Sequence, residues 1–455
     1  MPDRPNVLVF LTDQQRWDTT GLHGNPLGLT PNLDRAGASG THLASSFTCQ
    51  PVCGPARSAL QTGMYPTTTG CFRNEIALPD DTPTLADHFG AAGYRTGYIG
   101  KWHLADPEIT GAVPPSQRGG YGYWLAANVL ELVSGPYDTV LWDGDGRERR
   151  LPGYRADALA DAAIRFVGDH HAAEPDRPFY LFLSFLEPHH QNTAGDYPAP
   201  DGYRERYVDA CTPPDLAALG GTAPQHLPGY YGMVKRLDEA YGRIMDALTS
   251  LGIAGDTIVA YTSDHGCHFR TRNAEYKRSP HDASIRVPTV LRGPGFDGGG
   301  RVTAPVTTVD LPPTLLDAAG LEVPASMQGR SVLPLLRGAP PGAWPSEAFV
   351  QISESQVGRA VRTPRWLYAV TAPEADGWSD PSAARYAEDC LYDLRADPDQ
   401  LTNLIHSAAH REVAAALRER LIRRMVEAGE PEPAIDPAVE RPSGQLRVTA
   451  EEAGE

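Results

Sequence analysis

The sequence predicts an α/β fold: a large, mixed and mostly parallel β-sheet flanked by helices, followed by a smaller C-terminal α+β lobe carrying an antiparallel sheet. Three observations carry this reading. Apolar runs at Asn6 to Thr12, Pro178 to Leu186 and Thr257 to Thr262 have the composition of strands buried on both faces. Segments with helical spacing lie between them, among them Tyr154 to Gly168 and Tyr230 to Leu251, the latter stopped by Gly252. Beyond residue 345 the pattern changes to short strand-like runs and one amphipathic helix.

A chain of 455 residues can hold one large sheet with an appended lobe. Its 41% hydrophobic and 21% charged residues are those of a soluble globular protein, and 42 prolines with 45 glycines predict many shaped surface loops. Acidic residues outnumber basic ones, 57 against 40, which gives a net charge of −17. That balance disfavours nucleic acid and anionic membranes as partners, so an anionic substrate needs a local basic pocket. After Met1-Pro2-Asp3-Arg4-Pro5 the apolar run Val7 to Leu11 is too short for a signal-peptide core, and no later stretch approaches a membrane span. Cytoplasmic residence is the expectation. The six cysteines are irregularly spaced and predict no disulfide framework; a zinc site from Cys49, Cys53 and Cys71 is conceivable, although no CxxC pair is present.

Taken in order, the first strand ends in Asp13-Gln14, where an open α/β sheet presents ligands at the carboxyl ends of its strands. The competing reading of Asp13 is a helix cap. Thr30-Pro31-Asn32-Leu33-Asp34 starts a helix. Cys53-Gly54-Pro55-Ala56-Arg57 then places a thiol at a helix N-terminus, a site that stabilises anions and lowers a thiol pKa; a plain loop cysteine is the alternative. Arg73 and Asn74 follow on a loop, within reach of a substrate or merely solvated. A helix at Thr84 to Ala92 and a strand at Tyr94 to Ile99 deliver Gly100-Lys101-Trp102-His103, with Lys101 and His103 on one side of an extended chain.

The strand Pro178 to Leu186 hands over Glu187-Pro188-His189-His190, and Asn192 to Pro228, rich in Pro, Gly and Asp, reads as a specificity insert or lid. Thr257 to Thr262 hands over Ser263-Asp264-His265-Gly266. A cationic stretch follows, carrying His268, Arg270, Arg272, Lys277 and His281. The organisation expected is a catalytic domain over residues 1–345, bounded by the Pro/Gly-rich stretch Gly338 to Pro345, and a C-terminal subdomain over 346–430. That subdomain has strands at Phe349 to Ile352, Gly358 to Thr363, Trp366 to Val370 and Leu391 to Leu394, with a helix at His410 to Glu427. Residues 431–455 read as a tail that adds little to the fold.

Cys53-x-Pro55-x-Arg57, followed by Leu60 and Thr62-Gly63, resembles the sulfatase signature of the alkaline-phosphatase-like superfamily, and the TPNLD, GKWH and SIRVP segments extend the similarity over nearly the whole chain. Ala56, where serine is commoner, and Met64, where arginine is frequent, depart from it. The resemblance implies that a maturation enzyme oxidises Cys53 to formylglycine, whose hydrate attacks sulfur. It implies a metal site of Asp13, Gln14, Asp264 and His265 with an oxygen of the modified Cys53. Calcium is the usual occupant, and the one imidazole leaves Mg²⁺ and Mn²⁺ open. Lys101 and Arg57 would hold the hydrate, Lys277 and His189 would bind sulfate oxygens and protonate the leaving group, and His103 would take a proton from the second hydroxyl. Arg73, Asn74, His190, His268, Arg270, Arg272 and His281 are the candidates for holding the rest of the substrate, a solvated basic loop being the alternative for the last four. The implied function is hydrolysis of an organic sulfate monoester, on a carbohydrate or an aryl group. Gln14 in place of a second carboxylate also fits phosphonate monoester or phosphodiester hydrolysis on the same scaffold. A non-catalytic binding protein is disfavoured because every expected position holds a competent residue.

Overall fold

A computed structural model describes residues 4–338, 342–441 and 449–454. Parts of the expected boundary (339–341) and of the expected tail (442–448) lie outside the described residues. A ten-stranded sheet runs in the order Gly300–Val302, Thr41–Leu43, Val290–Arg292, Thr257–Ser263, Asn6–Thr12, Phe179–Ser184, Arg95–Lys101, Tyr123–Ala127, Thr139–Asp143, Glu148–Leu151. The five strands from Thr257–Ser263 to Tyr123–Ala127 are mutually parallel, and antiparallel pairs appear on either side of them.

The central strand Asn6–Thr12 is buried throughout, and its alternation serves two cores. Val7, Val9 and Leu11 face a cluster that includes Leu60, Phe89, Tyr98 and Leu315. Leu8 and Phe10 face Leu159, Phe166, Leu237 and Tyr241. The helices Arg155–Ala173 and Ala223–Ser250 therefore cover one face, and Cys53–Thr62, Leu85–Ala91 and Leu311–Ala318 the other, the layered arrangement that a parallel sheet needs to bury both of its apolar faces. Gly100, at the end of the strand Arg95–Lys101, has φ +106°, and a Cβ there would meet the Ser184 carbonyl at 1.9 Å, so only glycine lets these neighbouring strands close up before Lys101.

The second sheet has five strands, Ala348–Ile352, Gly358–Arg362, Trp366–Thr371, Arg385–Asp393 and Ala434–Asp436. The first four form an antiparallel meander. The helix Arg411–Glu427 covers one face through Val413, Leu417, Leu421 and Met425, while the other face meets Phe47 and Ile285 of the large unit. A buried ion pair, Arg362 to Asp282 at 2.9 Å, ties the units together.

Two expectations need correction. The described parts of 431–455 are not idle: Ala434–Asp436 pairs in parallel with Arg385–Asp393, and Trp366 Nε1 donates to the Glu452 carbonyl at 2.8 Å beside buried Ala453. The stretch from Asn192 to Pro228 is also more ordered than its composition suggested. It holds the helix Pro214–Leu219, and Ala223–Ser250 begins five residues before Pro228. The proline removes one helical hydrogen bond. Burial of Leu227, Tyr230, Tyr231 and Met233 against Tyr197 and Phe269 outweighs that loss. Among the described residues, no helix is long and apolar enough to cross a membrane.

Candidate active site

The carboxyl ends of four parallel strands converge on one cavity. Asn6–Thr12 supplies Asp13 and Gln14; Arg95–Lys101 supplies Lys101 and, two residues on, His103; Phe179–Ser184 leads to His189; Thr257–Ser263 leads to Asp264 and His265. Cys53 is the first residue of the helix Cys53–Thr62 and is 1% exposed. Its Sγ lies 2.8 Å from Lys277 Nζ, 3.2 Å from His265 Nε2 and 3.6 Å from Asp13 Oδ1. Burial opposes ionisation of this thiol, yet Lys101, Lys277 and His265 together hold its pKa well below the ordinary value. The cavity measures about 260 Å³ and is lined by Cys53, His103, Glu131, His189, Asn74 and Tyr276, among others.

Ligand atoms of Asp13, Cys53, Asp264 and His265 all lie within 4.8 Å of one another. His265 Nδ1 faces the Gly266 carbonyl at 3.0 Å, which places its proton there and leaves the Nε2 lone pair toward the cluster, 3.6 Å from both carboxylates. Burial and the neighbouring Asp13 raise the pKa of Asp264, whose Oδ2 is buried without a hydrogen-bond donor. For Asp13, burial and Cys53 act upward, but Lys101, His189 and Arg57 prevail and lower it. Two carboxylates so close repel each other, and a divalent cation beside His265 Nε2 is a partner that their oxygens fit. Gln14 Oε1 accepts from the His190 backbone N–H at 2.9 Å and keeps a second lone pair.

The fold agrees with the comparisons. The sulfatase family model matches residues 5–321. The chain belongs to the sulfatase family. A second model, for the C-terminal part of N-sulphoglucosamine sulphohydrolase, matches residues 275–427. This sulfatase is 30% identical over 447 residues to the ulvan-active sulfatase of Formosa agariphila, with 94% of this chain and 82% of the relative covered. Among solved structures, one described as a candidate sulfatase from Bacteroides fragilis superposes with a TM-score of 0.79 at 25% identity, covering 94% of this chain and 97% of the other. The phosphonate monoester hydrolase of Agrobacterium radiobacter shares the fold, with a TM-score of 0.71 at 24% identity over 93% of this chain and 96% of its own. The enzyme class is that of sulfuric ester hydrolases.

The structure gathers Cys53, Lys101, His103, His189, Lys277, Asp13, Gln14, Asp264 and His265 as the sequence grouped them, but it gives two of the cations a different contact. Arg57 donates to the Lys101 carbonyl at 2.9 Å, to Ser184 Oγ at 2.7 Å and to Asp13 at 3.1 Å, and it lies 3.2 Å from Asp264. Lys101 Nζ sits between Asp13 and Glu131, 2.8 Å from each. Both cations thus brace the carboxylates, and among the described residues neither has a hydrogen bond to the Cys53 sulfur.

Among the candidates for substrate contact, Asn74, His190 and Arg270 line the cavity. His190 stacks on Tyr276 with ring centroids 4.4 Å apart, and the Arg270 guanidinium lies over the Tyr276 ring, 4.8 Å from its centroid. Arg73 instead lies over Trp378 and donates to the Asn74 carbonyl. Three expectations fail on geometry. His268 is fully buried, its pKa pushed down to about 4 by burial, and its Nε2 bonds the Lys277 carbonyl at 3.0 Å, so it supports the lysine loop. Arg272 donates to the carbonyls of Asp399 and Gln400, and His281 bonds Ser279 and Tyr392. Proximity in sequence to Lys277 did not put them in the cavity, because the loop folds back on the second lobe. Cys49 and Cys71 are separate buried thiols outside the metal cluster, and the six cysteines are free.

Sequence reasoning missed Glu131, Ser184, Tyr276 and Glu354. Glu131 was findable: it follows the apolar run Tyr123–Ala127, which ends as the other buried strands do. Burial acts upward on Glu131, but Lys101 holds its pKa down at about 2. Its stabilising pairing is therefore complete above the unfolded value near 4.5 and is lost as pH falls toward 2. Lys101→Met leaves this carboxylate buried without its cation, and unfolding at neutral pH should show a loss of about 3–5 kcal/mol that shrinks as acid protonates Glu131. An unchanged denaturation midpoint would refute that assignment.

Proposed function

We propose that this sulfatase hydrolyses a sulfate monoester on a carbohydrate, with residue 53 as formylglycine and one divalent cation, calcium first. The observation that carries the reading is the position of Cys53: the first residue of its helix, with Sγ inside the acid and imidazole cluster and 2.8 Å from Lys277 Nζ. The sulfur stands where an oxygen of the hydrated aldehyde would stand. Hydration of formylglycine supplies two hydroxyls on one carbon, one to attack and one to drive product off. Held by Asp13, Gln14, Asp264 and His265, a hard cation would supply charge compensation for the nucleophile and the sulfate oxygens.

The chain's own residues supply the rest. Lys277 Nζ, also 3.2 Å from His189 Nε2, is placed to bind a sulfate oxygen next to residue 53. His189 Nδ1 faces the His190 carbonyl, which fixes the ring so that Nε2 points to the reacting centre, where it or Lys277 can protonate the leaving alcohol. His103, held at φ +62° and anchored by its backbone N–H to the Asn128 carbonyl at 2.8 Å, lines the same cavity and is the base for the second hydroxyl of residue 53. These lysines and imidazoles, with Arg270 at the cavity, form the local basic pocket that a protein of net charge −17 needs for an anion. The His190–Tyr276 stack offers an apolar face to a sugar ring, and the match to a model named for a sulfated amino-sugar hydrolase supports that substrate class.

Phosphonate monoester hydrolysis remains the second reading, favoured by Asp13-Gln14 paired with Asp264-His265 and by the shared fold. Mass spectrometry of the peptide containing residue 53, on protein from a host with the maturation enzyme, should show a loss of about 18 Da, the arithmetic of CH₂SH becoming CHO. A panel of sugar sulfates, aryl sulfates and phosphonate monoesters should then give the highest kcat/KM on a sugar sulfate. Fully active protein that retains the thiol refutes the nucleophile, and preference for phosphonates refutes the substrate class.

A further inference from the structure

One carboxylate from the second lobe reaches both sides of residue 53. Glu354 follows the strand Ala348–Ile352, stands in the left-handed region at φ +64°, and has a side chain 2% exposed. Its Oε1 accepts the backbone N–H of Asn74 at 2.7 Å. Its Oε2 accepts from the guanidinium of Arg278, the residue after Lys277. Ser355 Oγ adds a bond of 2.8 Å to the Arg278 carbonyl.

Each of these partners leads directly to the reacting centre. Asn74 Oδ1 accepts the N–H of Gly54 at 2.9 Å, one of the free donors at the start of the signature helix, so Asn74 anchors the turn that presents residue 53. With Oδ1 committed to Gly54, the amide NH₂ of Asn74 is the group left for the cavity it lines. On the other side, Arg278 is fixed at φ +66°, a conformation rare for a long side chain, and Lys277 Nζ reaches Cys53 Sγ immediately before it. Asn74 and Arg278, 204 residues apart in sequence, meet on one side chain. A carboxylate with both oxygens engaged, one on a backbone N–H and one on a guanidinium, has little freedom to move.

We propose that Glu354 is a positioning residue: through Asn74 and Arg278 it holds residue 53 and Lys277 in register, which makes the second lobe a working part of the active site. The inference rests on residue 53 as nucleophile but not on which ester is cleaved. It also gives Arg278 a structural charge partner, which separates it from the cations free to bind substrate.

The test uses full-length matured Glu354→Ala and Glu354→Gln, with the aldehyde content at residue 53 measured first and rates expressed per modified site. Turnover is read on whichever ester the wild type cleaves, sulfate or phosphonate, so an error in substrate class does not touch the result. A small displacement of the nucleophile from its partner is enough to slow a positioned reaction about tenfold to a hundredfold. Glu354→Ala should lower kcat by that factor with KM changed less than about threefold, as expected when an interaction is lost in the transition state alone. Glu354→Gln keeps an acceptor for Asn74 and should recover part of the loss, and it serves also where the alanine variant fails to fold. Wild-type kcat in both variants overturns the proposal. So does a loss of rate that only follows the fraction of unfolded protein, or a rise in KM at unchanged kcat, which would make Glu354 a substrate contact.

Discussion

Cys53→Ala is expected to lower kcat on sulfate esters by on the order of 10⁵-fold, the scale seen when a nucleophile is removed from machinery that acts as a unit. The reason is local. Lys277, His265 and Asp13 all point at Sγ, and the remaining groups can bind and polarise an ester but cannot form the bond to sulfur. The fold should survive. The side chain is small and sits at the first residue of a helix. Thermal unfolding close to wild type with turnover gone, and with a sulfated sugar still bound, is the pattern that separates loss of chemistry from loss of structure. Retention of more than about one part in a hundred of the rate would remove residue 53 from the mechanism.

Removal of divalent cations is expected to abolish turnover as completely, and reversibly. Asp13 and Asp264 are both fully buried; Arg57 reaches both of them, and His265 Nε2 lies 3.6 Å from each. Burial and the neighbouring Asp13 both oppose ionisation of Asp264, and a cation would offset that repulsion. A chelator should therefore also lower the unfolding temperature. With cation at a hundred times its Kd the bound form gains about 2.7 kcal/mol, and that increment disappears on dialysis. Calcium should restore both rate and midpoint. Recovery with Mn²⁺ but not calcium would transfer the assignment to the metal that His265 suits better, and full activity after exhaustive chelation would refute a metal role for the cluster.

Much of this was legible in the sequence because parallel strands write their own signature. Strands buried on both faces must be apolar along their length, so the polar residues that end them stand out. Asp13, Lys101, His189 and Asp264 stand at or just beyond such ends, and the resemblance to the sulfatase motifs, contiguous around Cys53, is what gave them roles. The substrate side was less legible. His268, Arg272 and His281 looked like Arg270 in sequence, yet hydrogen bonds to Lys277, Asp399, Gln400 and Tyr392 turn them away from the cavity.

The sequence by itself determined the fold class, the family and the groups that meet at residue 53, since these depend on local pattern and short motifs. Only the tertiary structure decided which cations brace carboxylates and which remain free for an anion. It alone brought Glu131 to Lys101, and Glu354 to Asn74 and Arg278. Those pairings join residues 30 to 280 positions apart, and no local periodicity encodes them. They follow from the need of each buried charge for a partner, which is met by whatever the packing of two sheets places within about 3 Å.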